Sequence, residues 1–141
     1  MKNILLSLVL LAIAVFSMGA MIDFAHGAAP TMFFVDGSTS FERERLTRIE
    51  HTLNFTKVAM PNTWDIHILP KEQFEENTKR MKLNTISAYT FLPLDQTYIN
   101  EWYLTYADDS AVRHTLAHEA GHMICACSSE QKANEIAWAI E

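Results

Sequence analysis

Beyond about its first 28 residues, the chain alternates between the two-residue period of a strand and the 3.6-residue period of a helix. Thr31-Met-Phe-Phe-Val35 is a short apolar run closed by Asp36-Gly37, which predicts a strand ending in a turn. Ser38, Thr39 and Ser40 then offer N-caps for a helix from about Phe41 to Phe55, with Phe41, Leu46, Ile49 and Leu53 roughly on one face. Pro61-Asn62 breaks the chain. Trp64-Asp-Ile-His-Ile-Leu69 alternates apolar and polar residues until Pro70 stops it, so a second strand is predicted, with His67 on its polar side as a surface residue. From Lys71 to Met81, Glu72, Glu75 and Glu76 precede Lys79 and Arg80, an order that favours a helix crossing between strands.

Ile86-Ser-Ala-Tyr-Thr-Phe91 and Thr97-Tyr-Ile-Asn-Glu-Trp-Tyr103 are β-rich and separated by Leu92-Pro-Leu-Asp-Gln96, which predicts a hairpin with a longer loop. Tyr89, Tyr98, Trp102 and Tyr103 are expected to pack. Asp108, Asp109 or Ser110 can cap the next helix, the acidic pair also suiting the positive end of its dipole, and a final helix runs from about Glu130 to the C-terminus.

Met1 to Phe16 changes the picture at the N-terminus. Lys2 precedes an apolar run from Ile4, the pattern of a basic n-region and an apolar h-region. Residues 1–28 are therefore expected to be a signal peptide or, if uncleaved, a single membrane anchor, since Ile4 to Phe24 is about the 20 residues a span needs. Residues 29–141 form one expected domain, either exported to the periplasm or outside of the cell, or anchored with the domain outside the cytoplasm. The net charge of −6 and the absence of a dense Lys and Arg cluster argue against nucleic acid as a partner. On a helix Cys125 and Cys127 would point to nearly opposite sides, so no bridge between them is expected and at least one should be buried.

The chemistry concentrates in Arg113-His-Thr-Leu-Ala-His-Glu-Ala-Gly-His122. His118 and His122, one helical turn apart, can grip one Zn2+ ion, and Glu119 beside them can act as general base toward a zinc-activated water. Gly121 weakens a helix, which points to a close neighbour there. His114 falls on the same face but is expected to see solvent, because three histidines in line cannot converge on one tetrahedral ion. A third ligand must come from Cys127, Glu130 or Glu135. Glu130 is preferred: Asn134 follows it by one turn, where an amide could hold a ligand histidine's other ring nitrogen. Glu135 has only Ala139 in that position, and Cys127 suits a closed thiolate site. No residue is assignable as oxyanion stabiliser.

These segments resemble the zincin metallopeptidases, and within them are most similar to the ImmA/IrrE family. The likeness runs from about Ser87 to Ala137, through Ala88-Tyr-Thr, Thr97-Tyr-Ile-Asn100, the His118 to His122 motif and Glu130-Gln-Lys-Ala-Asn134-Glu-Ile-Ala137. The resemblance implies a small α+β, zincin-like domain, with a short mixed sheet and an edge hairpin packed against helices that include the H-E-x-x-H helix. It also implies zinc held by His118, His122 and Glu130, and hydrolysis of a peptide or protein substrate lying along the edge strand. The alternative is a non-catalytic zinc-containing binding or structural module on the same minimal fold.

Overall fold

The computed structural model describes residues 30–34 and 39–141. The signal or anchor expected over residues 1–28 lies outside them, and no helix among the described residues is long and apolar enough to cross a membrane. The elements run β1 (Thr31–Phe34), α1 (Ser40–Glu50), a 3-10 turn (Phe55–Lys57), β2 (Thr63–Leu69), α2 (Lys71–Met81) and β3 (Ala88–Phe91). A second 3-10 turn (Leu92–Leu94), β4 (Gln96–Asn100), α3 (Glu101–Tyr106), α4 (Asp109–Cys125) and α5 (Glu130–Ile140) follow.

One four-stranded sheet has the order β1-β2-β4-β3. β1 and β4 each pair parallel with β2, while β3 folds back antiparallel onto β4. The α+β class and the mixed sheet agree with the expectation. The β3–β4 hairpin puts β3 at the sheet edge, beside α4. Side-chain alternation gives the sheet two different faces. Trp64, Ile66 and Ile68 of β2, with Ala88 and Ile99, join Leu46, Ile49, Leu104, Val112, Leu116, Ala120 and Ile140 in the main core under α1, α4 and α5. On the other face Leu69, Phe74 and Tyr89 form a smaller cluster with Met81 and Tyr98 beneath α2.

Strand β3 begins at Ala88 rather than Ile86, and two further boundaries differ from expectation. Helix α1 stops at Glu50 because the chain is drawn away by tertiary pairing, the Asn54 N–H donating to the Ile140 carbonyl at 2.7 Å. Strand β4 stops at Asn100 rather than Tyr103 because Asn100 caps a helix: its Oδ1 accepts from the Trp102 N–H at 3.1 Å, while its Nδ2 donates to the Ile86 carbonyl at 2.9 Å. Trp102 is consequently helical and 44% exposed, its ring tilted against Tyr106 instead of packed in the core.

Thr39, one of the three expected N-cap candidates, caps α1 and forms a capping box with Glu42. Arg45 then ties α1 to the start of α4, donating to Asp109 Oδ1 at 2.8 Å, to the Ala107 carbonyl at 2.7 Å and to the Leu104 carbonyl. That guanidinium holds the Asp109 carboxyl below its ordinary pKa. The helix carrying the histidines is thereby fixed at its N-terminus.

Candidate metal centre

Asp108 caps α4, accepting from the Ala111 N–H at 2.8 Å, and Asp109 occupies the first turn. Val112, Leu116, Ala120 and Met123 bury one side of the helix in the core, which turns His118 and His122 toward α5 and the β3 edge. Helix α5 approaches closely because position 121 is glycine: a Cβ there would stand 2.4 Å from the Ala133 carbonyl oxygen. The neighbour implied by Gly121 is Ala133. Ser129 caps α5 through the Lys132 N–H, and Glu130 therefore opens the helix beside the histidines.

His118 Nε2 and His122 Nε2 lie 3.1 Å apart. Glu130 Oε2 is 3.0 Å from the first and its Oε1 is 3.5 Å from the second. The remaining ring nitrogens explain this convergence. His122 Nδ1 stands 2.9 Å from the Cys127 carbonyl, which can only accept, so Nδ1 carries a proton and in the neutral ring Nε2 presents a lone pair. His118 Nδ1 is 2.8 Å from Asn134 Oδ1 and is held in the same way. With both rings neutral, two lone pairs and a carboxylate face one another with no donor among them, an arrangement that a cation relieves. Two ligands on a tetrahedral zinc at about 2.05 Å would stand about 3.3 Å apart, close to the nitrogen separation here. These three residues are the group that could hold a metal ion among the described residues.

Glu119 is 4% exposed and sits against the same site. Burial raises its carboxyl pKa, and a hydrogen bond from Thr90 opposes that shift. The bond is the end of a chain that sequence reading missed. Trp64 Nε1 donates to Thr97 Oγ1 at 2.8 Å, Thr97 and Thr90 hydroxyls are 2.8 Å apart, and Thr90 donates to Glu119 Oε2 at 2.7 Å. An indole N–H only donates and an ionised carboxylate only accepts, so the chain runs one way across β2, β4, β3 and α4. Its faint signal in the sequence is a threonine at an inward strand position, Thr90 sharing a face with Ala88.

His118, His122, Glu119 and Glu130 line one cleft of about 370 Å³, whose other wall is Leu83 to Thr90 with the edge strand β3. Glu135 is not part of it, its Oε1 accepting from Gln131 at 3.0 Å. His114 is exposed as expected, bonded through Nδ1 to Glu141 at 2.9 Å and ring-packed against Trp138. His67 stacks on Tyr98 at 4.5 Å, on the sheet face away from α4.

The cysteines overturn the expectation. Cys125 and Cys127 form a disulfide, and neither is fully buried. The expectation placed both on one helix, but α4 ends at Cys125, and Ala126 adopts a left-handed conformation with φ 46° and ψ 44° that turns Cys127 back. Cys127 therefore offers no thiolate to a metal, and its contribution is its carbonyl on His122. No family model matches this chain, and comparison with curated proteins and with solved structures likewise finds no match.

Proposed function

We propose that the protein is a zinc-dependent metallopeptidase. The observation that carries this reading is the meeting of His118 Nε2, His122 Nε2 and the Glu130 carboxylate next to a buried Glu119, hydrogen-bonded by Thr90, in an open cleft. A zincin-like architecture, with the edge strand beside the histidine helix, belongs to the same proposal. His118, His122 and Glu130 would hold the ion, leaving a position open as catalytic sites do. When bound, zinc supplies Lewis acidity and a water acidified toward neutrality.

This chain's own groups do the rest. Glu119 accepts the proton of the attacking water on the carboxylate that Thr90 orients, and then delivers it to the leaving amine nitrogen. β3 borders the cleft with one edge unpaired in the sheet, so an extended peptide can add there through main-chain hydrogen bonds. The disulfide suits an oxidising compartment, which supports a domain exported or held outside the cytoplasm.

The test is Glu119→Gln in the purified protein, with zinc quantified and a broad peptide library supplied. General-base catalysis contributes about 10²- to 10⁴-fold, so cleavage should fall by at least about 10²-fold with zinc content unchanged. Undiminished cleavage would overturn the mechanism. Zinc binding by a wild-type chain that cleaves nothing would instead support the non-catalytic binding module.

A further inference from the structure

The turn between the two ligand-bearing helices is built on an unusual residue. A helix that ends in a left-handed residue usually places glycine there, because a Cβ opposes that conformation. Here the residue is Ala126, and the two residues flanking it are joined covalently, their Cα atoms 5.1 Å apart. A bridge spanning a single intervening residue removes little freedom from the unfolded chain, since the entropy of closing a loop grows with its length. Its effect is local. What it fixes locally is Cys127, whose two backbone groups both engage His122: the Cys127 N–H donates to the His122 carbonyl at 3.2 Å, and the Cys127 carbonyl accepts from His122 Nδ1 at 2.9 Å. Both cysteines are partly exposed to solvent, the side from which a reductant would approach.

We propose that the Cys125–Cys127 disulfide is the positioning element for His122, making the metal affinity of the site depend on redox state. The inference rests on the zinc reading above. With the bridge closed, the Cys127 carbonyl holds the proton on His122 Nδ1 and aims Nε2 at His118 and Glu130. An external dithiol opens the bridge: its thiolate attacks one sulfur, the other cysteine leaves as a thiolate, and the reagent's second thiol displaces the mixed disulfide. The S–S bond passes to the reagent, while two electrons and two protons end on Cys125 and Cys127. Ala126 then relaxes out of the left-handed region, the carbonyl leaves Nδ1, and the path of residues 126–129 to Glu130 loosens.

The experiment uses the full chain, oxidised or reduced with a water-soluble phosphine, and thiol titration confirms two free thiols after reduction. Zinc affinity is measured by competition with a chromophoric chelator, and nitrogen NMR of the metal-free protein reads the His122 tautomer. Loss of an outer hydrogen bond to a ligand histidine weakens metal binding about 10- to 100-fold. That drop is expected on reduction, with His122 passing from the Nδ1–H form to a mixture of tautomers. Cys125→Ser/Cys127→Ser should match the reduced protein, which separates lost positioning from new thiolate ligands. Unchanged affinity and tautomer after reduction, or tighter zinc binding, would overturn the inference. If the oxidised chain takes up no zinc, the metallopeptidase reading fails, and the tautomer measurement still decides whether the bridge positions His122.

Discussion

At the scale of single residues, Thr90 is as informative as the motif itself. It is the hydroxyl donor to the buried oxygen of Glu119, and a hydrogen bond to a charged group is worth about 1.5–3 kcal/mol. Thr90→Val keeps the shape and removes that donor. On the proposed mechanism the expected result is a kcat lowered by about 10- to 100-fold with zinc affinity unchanged, because the donor touches the proposed base and not the proposed ligands. Thr90→Ser should restore most of the rate; equal rates for the valine variant and wild type would remove the relay from the mechanism. The difference between Glu119 and Thr90 also shows what the sequence could disclose. His118, Glu119 and His122 lie within one helical turn, so their spacing alone states a geometry. Thr90 lies 29 residues from Glu119, and Thr97 lies 33 from Trp64, so only the sheet register and the packing of α4 on the sheet bring them together. The Cys127 carbonyl was hidden for another reason: it is backbone, and its direction depends on Ala126 leaving the helix.

At the scale of elements, the site depends on how closely α4 and α5 approach. Gly121→Ala sets two effects against each other. Alanine favours a helix interior over glycine by about 1 kcal/mol. The added Cβ would meet the Ala133 backbone at 2.4 Å from its oxygen and 2.8 Å from its Cα, and backbone does not rotate aside as a flexible side chain does. Overpacking of this kind costs about 1–3 kcal/mol, so the clash wins. Because α5 carries both Glu130 and Asn134, the variant should melt at a lower temperature and also bind zinc more weakly. A higher melting temperature with undiminished zinc affinity would contradict the close approach. The sequence indicated this contact through the glycine but could not name Ala133. Element ends were less legible, as Trp102 shows, since aromatic residues suit a strand and only the Asn100 side chain's bonds to Ile86 and Trp102 end it.

At the scale of the whole molecule, the order of strands, crossing helix, hairpin and the last two long helices could be read from periodicity. The sheet order could not, because it depends on which strand takes the edge. A second property emerges only from the assembled core: Glu50, the last residue of α1, is 2% exposed, and its Oε1 has no hydrogen-bond partner among the described residues. Burial raises its pKa above the ordinary carboxylate value, partly offset by His51, whose Nδ1 is 3.5 Å from Oε2. The negative end of the α1 dipole gives the carboxylate no relief. A raised folded-state pKa means that this group's favourable contribution is complete below the unfolded value of 4.5 and is lost as pH rises through the folded one. Glu50 therefore costs stability at neutral pH. A buried polar group left unsatisfied costs about 1–3 kcal/mol, so Glu50→Met should be more stable than wild type at pH 7 by a figure in that range. Melting both proteins between pH 7 and pH 4 isolates the carboxylate, since every other group titrates in both. The advantage of the variant should shrink as pH falls, when the wild-type carboxyl takes up its proton before the unfolded chain does. An advantage that stays constant across this window, or grows toward pH 4, would mean that Glu50 is not held in the core as a carboxylate under strain from burial.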